Sequence, residues 1–467
     1  MVSIDSRIER IPDNGYNKRL LVTSGLGYTF DAMDMAIVAF VLPMVMGVWH
    51  LTSEQTGLLG SSVLIGYFFG AFFAGYFGDK FGRKKVIMLT LIVYSISTII
   101  SAFAVNWEQF FWMRIIAGVG TGGESAIIAP FLAEMVSSKY RGKYVGFLSG
   151  FFSFGYVGAA ILAYFVIPAS DFGWRLALLI TAVPILLVVY WRRFLPESPR
   201  WLESQGRLKE ADQVMTKIEE RVEQILGSKL PEPKLNTSTQ VRNGQRGNFF
   251  TLWKPPFVKS TIMLWVLWFT VTFAFYGFFT WLPTLLYNEG YQISKSFFFS
   301  IIIYLAQIPG YFTAAYLNDR IGRKKVIISY LALGAIAAIG MSLSHTPTAI
   351  IISGFCMSML MTGSYSGIYA YTPEQYPTFI RSTGTGSASS FGRIGGLLAP
   401  IIIGLVYPAF GFLGVFLFST GVLVLGMLVV LLMGNETKSK SLDQIINEKI
   451  NIGLNSTNLD KINTKKA

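Results

Sequence analysis

Five charged residues stand inside long apolar stretches of this sequence. They are Asp31 and Asp34 in "YTFDAMDMAIVAFVLP", Arg114 and Glu124 in "RIIAGVGTGGES", and Arg393 in "FGRIGG". An ionised group in hydrocarbon is costly, so such residues face a cavity, pair with one another and mark a pathway. Asp31 and Asp34 are i and i+3 and share one helical face. Two carboxylates that close oppose each other's ionisation, and desolvation acts in the same sense. A carboxyl able to hold a proton at working pH is what proton coupling needs. Asp34 is the expected main carrier, tuned by Asp31 and paired with Arg114. Glu124 is a further candidate, although beside the glycine run it also reads as structural. Three acids stand against two bases, so one proton neutralises the set and an anionic ligand would then pair with a released arginine.

Arg393 is the candidate for holding a carboxylate. Aromatic residues crowd "WVLWFTVTFAFYGFFTWLP" at 265–283. Most rings there read as packing or lipid-facing, but a ring-lined wall beside an arginine suits a flat carboxylate. Tyr276, Phe279, Gln307, Tyr365 and Tyr369 complete the candidate binding set. Cys356 is the one cysteine, and the two histidines, His50 and His345, lie near helix ends. That excludes an intramolecular disulfide and a cysteine-built metal site. No metal and no cofactor is expected, only the proton as coupling ion.

These residues need elements that can hold charge away from water. The chain has 467 residues, 52% hydrophobic and 14% charged, with a mean hydropathy of +0.50. A soluble domain would carry about a quarter charged residues. Twelve apolar runs recur at 20–46, 56–77, 86–106, 109–132, 144–167, 175–194, 259–286, 296–317, 326–344, 348–370, 384–408 and 411–433. Each is long enough to cross a bilayer, and only a helix satisfies its own backbone there. The fold class is an all-α polytopic membrane protein. "GYFFG" at 66–70, "GFLSG" at 146–150 and "GVGTGG" at 118–123 read as close helix packing.

The net charge of +13 is placed by topology. With twelve spans, 35 of the 39 Lys and Arg residues fall on the side of the two termini. Cationic loops stay in the cytoplasm, so both termini are expected there. The basic excess then implies contact with anionic lipid and not with nucleic acid. The N-terminal "MVSIDSRIERIPDNGYNKR" does not read as a secretory signal.

An internal repeat organises the chain. "GDKFGRKK" at 78–85 returns as "NDRIGRKK" at 318–325, 240 residues later, and the same offset joins Pro43 to Pro283, Gly70 to Gly310, Glu134 to Glu374 and Arg141 to Arg381. Two parallel six-helix pseudo-repeats follow, the plan of rocking transporters. The expected organisation is a tail at 1–19, helices at 20–194, a linker with amphipathic helices at 195–258, helices at 259–433 and a tail at 434–467. Asp79, Arg83, Glu134, Arg141 and their counterparts Asp319, Arg323, Glu374 and Arg381 are expected to form a cytoplasmic gate. Lys84, Lys85, Lys324 and Lys325 read as topology charges. The five intramembrane charges behave differently. The offset takes them to Val271, Ala274, Gly354, Ser364 and Ser153, none of them charged. Framework is duplicated; these residues are not.

The motifs resemble the major facilitator superfamily over about 20–435. "GDKFGRKK" is similar to its loop 2–3 signature, and "PESPRWL" and "NETKSKSL" resemble sugar-porter signatures. In that group a helix 1 aspartate pairs with a helix 4 arginine for proton coupling, which implies Asp34 and Arg114. The sugar porters' glutamines on helices 5 and 7 are absent. "GLGYTFDAMD", "AQIPGYFTAAYL" and "YTPEQYPTFIRSTGTGSASSFGRIGG" resemble the bacterial nicotinate transporters, beside the aromatic-acid/proton symporters, whose helix 11 arginine corresponds to Arg393. The resemblance implies a monomeric plasma-membrane symporter that imports a small organic anion, such as nicotinate or a benzoate, by alternating access. A sugar or polyol symporter, an organic-ion exporter and a non-transporting nutrient sensor are the alternatives. No nucleophile–histidine arrangement or phosphate loop supports an enzyme.

Overall fold

A computed structural model describes residues 3–186, 190–191, 195–233, 249–377 and 380–438. The regular elements of the described residues are all helices, with no strand among them. The tail beyond Lys438 and the stretch 234–248, both part of the sequence reading, lie outside the described residues. The chain divides into two compact units, residues 1–241 with 282–301, and residues 242–281 with 302–467.

The first unit holds α1 (Ile4–Glu9), α2 (Gly15–Val48), α3 (Ser53–Phe81), α4 (Arg83–Ala102), α5 (Trp107–Met135), α6 (Ser138–Val166), α7 (Gly173–Thr181), α8 (Pro199–Ser204) and α9 (Leu208–Leu226). Polar caps start the long helices. Asn14 accepts from the amides of Tyr16 and Asn17, and Thr52 and Gln55 form a reciprocal capping box. Helices α3 and α5 meet backbone to backbone. A Cβ at Gly66 would lie 1.9 Å from the Ile115 carbonyl oxygen, and one at Gly118 would lie 2.1 Å from that of Val63. The packing expected of "GYFFG" and of the 118–123 glycines is therefore present. The reading of "GFLSG" is corrected: among the described residues nothing lies within 4 Å of a Cβ at Gly146 or Gly150.

At the linker end of this unit, α9 buries Ala211, Met215, Ile218 and Val222 at helical spacing against Ile4, Ile8 and Ile11. Arg7 and Arg10 close on Glu219 at 2.5 and 2.6 Å, and Glu9 accepts from Ser137 and Ser138. Burial opposes the Glu219 charge, but the bonds from Arg7 and Arg10 outweigh it and hold this carboxyl below its ordinary range.

The second unit shares α10 (Val258–Asn288) and α11 (Ile293–Leu305) with the first, and adds α12 (Gln307–Ile321), α13 (Arg323–Ser342), α14 (Pro347–Glu374) and α15 (Arg381–Met433). The last carries both of the final apolar runs, with Gly411 at φ 62° marking the break. The run at 175–194 is described through α7 and in part beyond it.

The repeat appears as matching turns. Gly82 at φ 105° separates α3 from α4, and Gly322 at φ 103° separates α12 from α13, a region that favours glycine. Each turn seats a carboxylate on the new helix. Glu197 accepts from the amides of Arg83 and Lys84 at 3.0 and 3.2 Å, and Glu436 accepts from that of Arg323 at 3.0 Å. An anion at a helix N-terminus satisfies otherwise unpaired amides.

Candidate functional site

The intramembrane charges of the first unit converge in its interior. Arg114 on α5 reaches Asp34 on α2 at 2.6 Å, and both side chains are fully buried. The arginine also donates to the other Asp34 carboxylate oxygen at 3.3 Å and to the Asp34 carbonyl at 3.1 Å. Thr98 on α4 and Thr181 on α7 donate to the same carboxylate at 2.9 and 3.4 Å. Asp34 accepts in every one of these bonds. Four helices therefore fix this one group.

Asp31 and Glu124 are arranged differently. Asp31 is 1% exposed and Glu124 0%, yet none of their four carboxyl oxygens has a hydrogen-bond partner among the described residues. Glu124 reaches α2 one turn before Asp31. Gly27, one turn before Asp31, makes room, since a Cβ there would lie 2.4 Å from Glu124 Oε1 and 2.6 Å from the Trp191 ring. The Tyr94 hydroxyl and Trp191 Nε1 are also buried, with no hydrogen-bond partner among the described residues.

Sequence reasoning did not single out Thr98, Thr181, Tyr94 or Trp191. A signal existed: the 240-residue offset takes them to Ala338, Gly421, Gly334 and Leu431, so they are as unrepeated as the charges they surround.

The second unit carries the candidate binding residues. Trp268, Phe275, Tyr365 and Tyr369 make a continuous ring cluster, with Tyr365 meeting Phe275 at 5.4 Å and Tyr369 meeting Trp268 at 5.1 Å. The Tyr365 hydroxyl donates to Thr272 at 3.0 Å. Glycines bring α15 against this wall. A Cβ at Gly395 would lie 2.5 Å from the Phe269 carbonyl, and one at Gly396 would lie 2.7 Å from the Tyr276 ring. Half-buried Arg393 stands on the same stretch of α15. Phe279 is buried, packed on Phe275 and Tyr304, a packing position in the interior. Gln307 is 1% exposed, and neither end of its amide has a hydrogen-bond partner among the described residues.

The charges at the helix turns pair within each unit. Arg83 meets Asp79 at 2.6 Å and Glu134 at 3.0 Å, and Arg323 meets Asp319 and Glu374, each at 3.4 Å. Arg141 and Arg381 donate to backbone carbonyls, of Ala133 and Tyr376.

The profile of the "Sugar (and other) transporter" family matches residues 16–448. The chain belongs to this family. It is a membrane transporter of the major facilitator superfamily, and not an enzyme. Relatives include the niacin transporter of Acinetobacter baylyi, 37% identical over 94% of this chain and 99% of that protein. A putative niacin/nicotinamide transporter of Bacillus subtilis is 34% identical over 91% of this chain and 98% of that one. The benzoate transport protein of Acinetobacter baylyi is 27% identical over 86% of each. In fold the transporter is similar to the inward open xylose transporter of E. coli, with a TM-score of 0.74 at 20% identity, covering 92% of this chain and 99% of that one. The twelve-span fold is thereby established.

Proposed function

We propose that this transporter imports a small aromatic monocarboxylate, of the nicotinate or benzoate kind, together with protons, by alternating access. The observation that carries the substrate class is the ring wall of Trp268, Phe275, Tyr365 and Tyr369 with Arg393 on the glycine-lined stretch of α15 against it. A ring stacks or packs edge-on against such a wall, and a guanidinium binds a carboxylate in a planar fork. The names of the niacin and benzoate relatives support the same class. Proton coupling draws on the acids of the first unit, Asp31, Asp34 and Glu124, with Arg114 paired to Asp34. The Asp79/Arg83/Glu134 and Asp319/Arg323/Glu374 clusters serve as the cytoplasmic gate, with both termini on that side of the plasma membrane.

A sugar or polyol is the second reading. Gln307 favours it, because its buried amide offers a donor and an acceptor to hydroxyl groups. Uptake of labelled nicotinate, benzoate and glucose into proteoliposomes, with and without an inward proton gradient, separates the two. Gradient-driven nicotinate or benzoate accumulation is expected; glucose accumulation alone would replace the anion reading with the sugar one.

A further inference from the structure

We propose that Asp31 and Glu124 form a carboxyl pair that holds the transported proton, apart from the Asp34–Arg114 bridge. The proposal rests on proton coupling as read above and assigns it to particular atoms.

Asp34 has its charge answered. Arg114, Thr98 and Thr181 all donate to its oxygens, which is the environment of an ionised carboxylate. A proton there would displace a donor already in place. Asp31 and Glu124 are equally buried and have four acceptor oxygens that no described group satisfies. A buried acceptor without a donor is costly, and a buried charge without a counter-charge is costlier. A shared proton lowers both penalties: it takes the pair from two charges to one and supplies a donor between the two carboxyls. The terminal nitrogens of Arg114 are taken up by Asp34 and Thr98, and its Nε has no acceptor among the described residues.

The surroundings suit a proton site. Gly27 leaves open the surface against which Glu124 lies, and any side chain there would push into its carboxyl and into Trp191. The ionisable groups facing the pair are few. Tyr94 on α4 approaches it with an unpartnered hydroxyl, and Asp34 lies one turn along α2. Tyr67 on α3 is bonded to Ser125, and the Tyr156 hydroxyl of α6 faces Met35. Neither tyrosine brings a positive charge, so a proton from outside is what reduces the charge of the pair.

The step balances simply. On release, the O–H bond of the pair breaks, the proton passes to water as hydronium and the electron pair stays on the carboxylate. Loading from the other side reverses it. A second negative charge then stands one turn from Asp34, which gives the loss of the proton a direct electrostatic effect on the Arg114 bridge.

Infrared difference spectroscopy on the full chain in lipid, across a pH jump, reads the carbonyl stretch of a protonated buried carboxylic acid. In the wild type such a band is expected, sensitive to deuterium exchange, lost or displaced in Glu124→Gln and Asp31→Asn and retained in Asp34→Asn. In proteoliposomes, Glu124→Gln loses gradient-driven nicotinate accumulation while nicotinate counterflow continues. Should Glu124→Gln not fold, Asp31→Asn carries both measurements. The absence of a band in the wild type, its loss in Asp34→Asn alone, its persistence in both pair variants, or continued accumulation by Glu124→Gln each overturns the proposal. So does accumulation that follows a sodium gradient in place of a pH gradient. If the wild type accumulates no organic anion, the substrate reading fails, and the infrared band still decides whether the pair holds a proton.

Discussion

The Asp34–Arg114 bridge offers the sharpest test of how the first unit is held together. Replacing Asp34 with Asn keeps the shape and removes the charge. Arg114 is then left fully buried with Thr98, a backbone carbonyl and the asparagine's own amide oxygen as acceptors, and no bonded counter-charge. Breaking a buried pair from one side costs about 3–5 kcal/mol, because the remaining charge is stranded. Arg114→Gln strands Asp34 in the same way, with only the Thr98 and Thr181 hydroxyls donating to it. The double variant strands nothing. Its destabilisation should therefore fall well short of the sum, with a coupling energy towards the upper end of the range of about 0.5–3 kcal/mol seen for directly bonded pairs. Thermal melting of the four proteins in one detergent measures this, with the double variant expected to melt above the lower of the two singles. Additive drops in melting temperature would refute the reasoning, because they would mean that neither single variant leaves a stranded charge.

Three further outcomes are expected. Arg393→Ala should abolish the thermal shift produced by nicotinate or benzoate while leaving the apo melting temperature nearly unchanged; an intact ligand shift would remove Arg393 from the binding site. Glu219 is held below its ordinary value of 4.5 in the folded chain, so the stability it adds is full above that value and lost as pH falls through the lowered one. Limited proteolysis should accordingly release the α1 segment faster at about pH 4 than at neutral pH, and Glu219→Gln should cut fast at both. Gly66→Val places a branched side chain where even a Cβ lies 1.9 Å from the Ile115 carbonyl, so size-exclusion chromatography should show no folded monodisperse peak; a normal profile would contradict the α3–α5 contact.

Much of the frame was legible because bilayer physics is written in runs of residues. Length and apolarity mark spans, and the 240-residue offset separates duplicated framework from single-copy chemistry. Caps at Asn14 and Thr52 obey local rules. The same offset, applied to uncharged polar residues, would have pointed to Thr98 and Thr181. Other features were not local. "GYFFG" and "GFLSG" are the same pattern, yet only the first meets a neighbouring backbone. Glutamate 134 meets Arg83 from another helix, while Arg141, close to it in sequence, turns to a carbonyl.

The sequence by itself determined which charges enter the membrane, that none of them is repeated in the other half, and that Asp31 and Asp34 share a helical face. Only the tertiary structure decided what each aspartate meets. Three residues along α2 are enough to turn one carboxyl to Arg114, Thr98 and Thr181 and the other to Glu124. The physical reason is that helical spacing fixes where a side chain leaves its own helix. Which donor or acceptor waits there depends on the packing of α4, α5 and α7, set by contacts between residues tens to more than a hundred positions apart.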